Sequence, residues 1–146
     1  MIKAINRSIA ARHEDDEKGF TLIELLVVIL IIGVLAAIAI PAFLNQRESA
    51  WASQVETDLK NAAIAAEAHA VENNGEYSTL EAVVSTDAGV VSTNWDAAGF
   101  NATQDVAVSF AAHATIANAY VLTGTHKSRA GDSWSYDSST GVITSP

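Results

Sequence analysis

From Leu25 to Leu44 the chain runs for twenty residues without a polar side chain. At 1.5 Å rise per residue a helix of that length spans about 30 Å, the thickness of the hydrocarbon core of a bilayer. A helix that is apolar on every side needs cover on every side. Residues 20–44 are therefore read as a membrane-spanning segment that its own domain does not bury. Lys3, Arg7, Arg12 and Lys18 precede the run, and few basic residues follow soon after it. Orientation follows Lys and Arg, so the acids Glu14, Asp15, Asp16 and Glu17 do not cancel the bias. The pattern predicts a cytoplasmic N-terminus and an exported C-terminus.

The helical pattern outlasts the apolar run. Trp51, Val55, Leu59, Ala62, Ala63, Ala66 and Ala70 recur at spacings of three and four, with Ser53, Glu56, Lys60 and Glu67 between them. This is an amphipathic helix with a narrow, alanine-rich face. Asn73-Asn74-Gly75 supplies the stop, with the glycine suited to a left-handed cap. One helix from about residue 20 to 73 would be about 80 Å long, apolar all round in its first half and on one side in its second.

Beyond Gly75 the period changes. Ser78-Thr79-Leu80-Glu81 fits a capping box and predicts a short helix through Val84. Residues 85–104 read as loop. Val106, Val108 and Phe110 alternate with Ala107 and Ser109; Tyr120-Val121-Leu122-Thr123 is aromatic and β-branched; Trp134 and Tyr136 alternate with serines. Val142-Ile143-Thr144 follows the turn Ser138-Ser139-Thr140-Gly141, so the last two strands read as a hairpin. The expected fold class is α+β, a small antiparallel sheet laid on the alanine face of the helix's second half.

Composition narrows the functional classes. The formal net charge of −9 argues against a nucleic-acid surface on the isolated subunit. Without cysteine there is no disulfide, thiolate metal site or cysteine nucleophile. His13, His69, His113 and His126 lack ligand spacing with acids, so no metal and no cofactor is expected. Asp87, Asp96, Asp105, Asp132 and Asp137 fit no EF-hand loop and read as solvated loop acids. Lys127 and Arg129 form a small basic spot, and Trp51 and Trp134 read as packing between helix and sheet. Residues 76–146 present no nucleophile–base pair, so a membrane-anchored enzyme or binding module is the rival class and no catalytic residue is assigned.

The polar-to-apolar border carries the sharpest signal. Gly19 is followed directly by Phe20-Thr21-Leu22-Ile23-Glu24, with one carboxylate inside the apolar run. A secretory signal peptide cut at Ala37-Ile38-Ala39 would sever a helix whose pattern continues past the cut. A plain signal anchor leaves Glu24 unexplained. The segment Gly19–Glu24, followed by a long apolar helix, resembles the N-terminus of type IV prepilins and the related pseudopilins. Pro41 matches a proline that recurs in that family's helix. Asn74–Leu80 is similar to the segment after the long helix in pilins, and Trp134–Gly141 to their closing hairpin. The absent cysteines depart from the disulfide that closes many pilins, and the leader is longer than usual where the mature chain begins with phenylalanine.

The resemblance implies a type IV pilin fold with residues 1–19 a cleaved cytoplasmic leader, 20–44 the transmembrane and filament-core half-helix, and 45–146 the exported pilin domain. It implies that a prepilin peptidase/methyltransferase cuts between Gly19 and Phe20 and methylates the Phe20 amine. It implies that Glu24 of one subunit meets the Phe20 amine of its neighbour and sets the register of a helical filament of identical subunits. A buried charge without its partner costs several kcal/mol, so such a pair would select one axial position. Gly33 and Pro41 are the soft points where the helix would bend or melt, since proline gives no N–H to the Ala37 carbonyl. The lipid bilayer shelters the helix before assembly and sister subunits do so afterwards, with an inner-membrane assembly platform and ATPase doing the extraction. The expected function is that of a major pilin of a type IV pilus, a subunit design that adhesion, motility, DNA capture and secretion share; the alternative is a pseudopilin of type II secretion or DNA uptake.

Overall fold

A computed structural model describes residues 19–146. The first eighteen residues of the expected leader, with their basic and acidic clusters and His13, lie outside the described residues. Helix α1 covers Leu22–Glu72 and is followed by β1 (Val83–Ser85), a short α2 (Thr93–Ala97), β2 (Val106–Ala112), β3 (Tyr120–His126), β4 (Trp134–Asp137) and β5 (Val142–Thr144). The α+β order expected of a pilin fold is the order found: a long apolar N-terminal helix, then a small antiparallel sheet.

The chain divides between Phe43 and Leu44 into two compact units. In the first, every large apolar side chain from Leu22 to Phe43 is exposed. An 18-residue window of α1 has a mean hydropathy of 3.1 with none of it buried, long and apolar enough to cross a membrane. Helix α1 continues through Gly33 and past Pro41, although Pro41 leaves the Ala37 carbonyl without its helical donor.

The second unit, Leu44–Pro146, holds the core. Its five strands lie in the order β1-β2-β3-β4-β5, every neighbouring pair antiparallel. Antiparallel neighbours need no crossover, so sequence neighbours are sheet neighbours even across the α2-containing link from β1 to β2. Val106, Val108 and Phe110 of β2, Tyr120 and Leu122 of β3 and Trp134 of β4 turn one face of the sheet inward against Val55, Leu59, Ala62, Ala63 and Ala66 of α1. Small helix residues let the sheet come close. At Gly124 in β3 an added Cβ would lie 2.6 Å from Val55 Cγ1 and 3.2 Å from Leu59 Cγ.

Two local readings need correction. Ser78–Glu81 does not open a helix. Ser78 Oγ donates to Glu76 instead (3.3 Å), Leu80 is buried, and Val83–Ser85 pairs with β2 as an edge strand. Pairing with an existing sheet overrode a local helix signal. The stretch read as loop contains α2, whose Trp95 is fully buried and donates from Nε1 to Glu81 O (3.0 Å). The helix stop is where the sequence places it, but the residue following the helical end that first turns left-handed is Asn74 (φ 58°), with Gly75 next (φ 84°). The Gly75 N–H reaches back to Ala70 O at 2.7 Å, a Schellman-type closure that satisfies an end carbonyl.

Candidate assembly site

The site read from the sequence lies at the start of α1. Thr21 precedes the first helical residue and acts as its N-cap. Its Oγ1 accepts from Glu24 N (3.3 Å), and the Glu24 carboxylate reaches back to accept from Thr21 N (2.9 Å) and Thr21 Oγ1 (2.7 Å). This reciprocal pair is a capping box, Thr-Leu-Ile-Glu, and it satisfies backbone donors that a helix start leaves unpaired. The free subunit thus gives Glu24 a local partner. Thr21 is the residue that the sequence reading missed, although the Thr-x-x-Glu spacing is itself a visible cap signal. Gly19 and Phe20 stand before the helix, and Phe20 is 92% exposed. Gly33 leaves a shallow apolar notch among Leu26, Ile29, Leu30, Val34 and Ala37, and an added Cβ there would touch nothing within 4 Å. Pro41 lies within the same helix.

The residues singled out in the sequence beyond Leu44 are mostly engaged within the chain. Lys127 Nζ lies 3.9 Å from Asp105, and Arg129 pairs with Asp132 at 2.7 Å while lying over the Trp134 ring. Trp134 is buried, whereas Trp51 is partly exposed and stacks on His126 at 5.4 Å. His69 Nε2 meets Thr79 Oγ1 at 2.7 Å, and His113 Nδ1 accepts the backbone N–H groups of Thr115 and Ile116. Among the described residues no group of three His, Cys, Asp or Glu side chains converges on a point that could hold a metal ion.

Two polar ties that the sequence reading did not find fasten the loops of the Leu44–Pro146 unit. Asp58 on α1 is 1% exposed, and its carboxylate accepts from Thr103 N (2.8 Å) and Thr103 Oγ1 (2.7 Å), pinning the segment before β2. At the far end of α1, Glu67 accepts from Tyr77 OH (3.0 Å) and Tyr120 OH (3.0 Å). Burial, then the hydrogen bond to Glu67, raises both phenols above their ordinary range. In the closing hairpin Asp137 Oδ1 accepts from Ser139 Oγ (2.6 Å) and Ser139 N (2.8 Å), which lowers the Asp137 carboxyl below its usual range. The chain has no disulfide to fasten its C-terminal region, so packing and ties of this kind must hold it.

The prokaryotic N-terminal methylation motif matches residues 15–40. The type IV major pilin protein PilA of Myxococcus xanthus is 48% identical over 50 residues, 34% of this chain and 23% of that protein. The type II secretion system core protein G of Pseudomonas aeruginosa is 34% identical over 88 residues, 58% of this chain and 62% of that protein. The type IV wide pilus major component PilA4 of Thermus thermophilus is 44% identical over 68 residues, 47% of this chain and 52% of that protein. The chain spans less than two thirds of the length of each of these relatives. No solved structure matches it. The motif match over residues 15–40, the likeness to type IV pilins and to a type II secretion core protein, and the order of an apolar helix before a small antiparallel sheet agree with the resemblance read at Gly19–Glu24.

Proposed function

We propose that this chain is a structural subunit, the major pilin of a type IV pilus, rather than a catalyst. The single observation that carries the reading is an apolar half-helix exposed on all sides and headed by Phe20 and Glu24 within a methylation motif. Such a helix has two shelters. Lipid covers it in a single-pass membrane protein with its N-terminus in the cytoplasm, and sister helices cover it in an extracellular filament. Head-to-tail contacts that do not close generate an open helical polymer. Moving between two apolar surroundings changes the hydrophobic free energy little, so extraction needs an assembly platform and ATPase. A peptidase/methyltransferase cut after Gly19 leaves a cationic amine on Phe20. In the filament that amine, from a neighbouring subunit, takes the place of the Thr21 donors at Glu24, and the exchange fixes the axial register.

Two measurements test this. Mass spectrometry of the mature protein should find a chain beginning at N-methylated Phe20; a chain beginning at Ile40 refutes the reading. Glu24→Gln keeps an oxygen to accept from Thr21 but removes the charge. It should insert in the membrane normally and lose most filament assembly. Filaments at unchanged yield would show that Glu24 is only a cap.

One observation favours a pseudopilin as the second reading: the alignment with core protein G covers 58% of this chain, more than either pilus protein described above. Electron microscopy of sheared surface material separates the two, since long filaments built from this chain belong to a pilin.

A further inference from the structure

Beyond Gly19 the chain has four basic residues, Arg47, Lys60, Lys127 and Arg129, against twelve acids after residue 44. Three of these four gather at one end of the exported domain. Arg47 follows the last apolar residue, Leu44, by three positions in the same helix, and its guanidinium lies 4.9 Å from the centre of the Trp51 ring. The other face of that cluster is His126, stacked on Trp51 at 5.4 Å, with Lys127 next in sequence. Arg129 donates to Glu48 O at 3.4 Å, which ties the loop after β3 to the same turn of α1. The acids at this end are Glu48, Asp87, Asp105 and Asp132, so the cations that act outward are those not held by them. Asp132 is neutralised by Arg129 at 2.7 Å, and Asp105 lies 3.9 Å from a Lys127 side chain that is 65% exposed. An exposed pair at that distance is weak and yields readily to a competing anion. Arg47 is exposed as well, and Trp51 is only partly covered.

A cation and an amphipathic ring within two turns of the end of an apolar span is the chemistry of a bilayer's headgroup layer. We propose that this end of the domain is a docking surface for anionic lipid headgroups. Arg47 and Lys127 contact headgroup phosphates, the Trp51 ring lies in the interfacial layer, and Arg129 positions the Lys127 loop. The surface would hold the domain against the outer face of the membrane until the subunit is drawn into a filament. The proposal rests on the spanning reading of residues 20–44 but not on the choice between pilin and pseudopilin.

The test uses the full chain in liposomes of phosphatidylcholine alone, or of phosphatidylcholine with phosphatidylglycerol, carrying a spin label on the headgroup. Trp95 and Trp134 are buried, so headgroup quenching of tryptophan fluorescence reports Trp51. Quenching should be stronger with phosphatidylglycerol and should fall as salt is raised. Each basic residue at an anionic surface changes the docked population about fivefold, so Arg47→Gln with Lys127→Gln should lower the ratio of docked to undocked domain roughly twenty-five-fold. Equal quenching in the two bilayers overturns the proposal, and so does an undiminished phosphatidylglycerol effect in the double variant. Quenching that tracks protein density rather than lipid charge overturns it in favour of acids on a neighbouring subunit. A chain that fails to float with the liposomes refutes the spanning reading itself.

Discussion

Replacing Gly124 with alanine tests how closely the sheet lies on α1. The new Cβ would stand 2.6 Å from Val55 Cγ1, 3.2 Å from Leu59 Cγ and 3.3 Å from Leu59 Cδ2. Neither neighbour yields easily. A helical valine has essentially one χ1 rotamer, and both side chains are fully buried. Gly124 is also paired on both sides, with Val108 of β2 and Trp134 of β4, so the strand has little freedom to move outward. Overpacking of this kind costs about 1–3 kcal/mol. Exchanging glycine for alanine returns roughly 0.5–1 kcal/mol of chain entropy. A 2.6 Å contact against two unyielding side chains falls in the upper half of the overpacking range, so the net destabilisation is about 1–2 kcal/mol, a fall in Tm of roughly 5–15 °C for a domain of this size. Near-UV circular dichroism of the full chain in detergent, which reports the buried Trp95 and Trp134, follows the transition. The cause is checked by Val55→Ala, which alone should cost about 2 kcal/mol for its lost methyl groups and cavity. Combined, the two substitutions should cost less than their sum by about 1 kcal/mol, because the alanine methyl occupies the vacated space. A Gly124→Ala protein with unchanged Tm, or strict additivity in the pair, refutes the close-approach argument.

Asp58→Ala strands the Thr103 N–H and hydroxyl in a buried setting and should lower stability by about 2–3 kcal/mol, read from the urea midpoint. Tyr120 gives a pH signature. Its phenol is held neutral in the folded state above its ordinary value of 10.0, chiefly by burial and next by Glu67. Its contribution is complete below that value and is lost as pH rises past it, where the unfolded chain alone releases the proton. Urea midpoints of the parent should therefore decline above pH 10, and Tyr120→Phe should show a shallower decline with a slightly lower midpoint at neutral pH.

The sequence by itself determined everything that depends on local period. Twenty apolar residues specify a helix that cannot be buried by its own domain, whatever the rest of the chain does. The three-and-four spacing from Val55 to Ala70 names the helix face that the core uses, and the alternation in 106–110 names the inward side of β2. The border at Gly19-Phe20 and the acid at Glu24 were legible because their spacing is fixed along one helix. The Thr21 cap is equally legible, since the Thr-x-x-Glu spacing puts both side chains on the first turn.

Only the tertiary structure decided the features made by residues far apart in sequence. Ser78–Glu81 carries a helix-start signal, yet the free edge of β2 captured Val83–Ser85, because ladder hydrogen bonds with a distant strand outweigh a weak local preference. Trp95 sits in a stretch with no periodic signal, and it is buried against the rings of Phe100 and of Phe110 in β2, 6.4 and 5.6 Å away. Asp58 reads as one more acid on a polar helix face until Thr103, forty-five residues later, folds over it. The cluster of Arg47, Trp51, His126 and Lys127 joins residues up to eighty positions apart. Pairings of this kind are set by which surfaces meet, and no pattern within a single element encodes them.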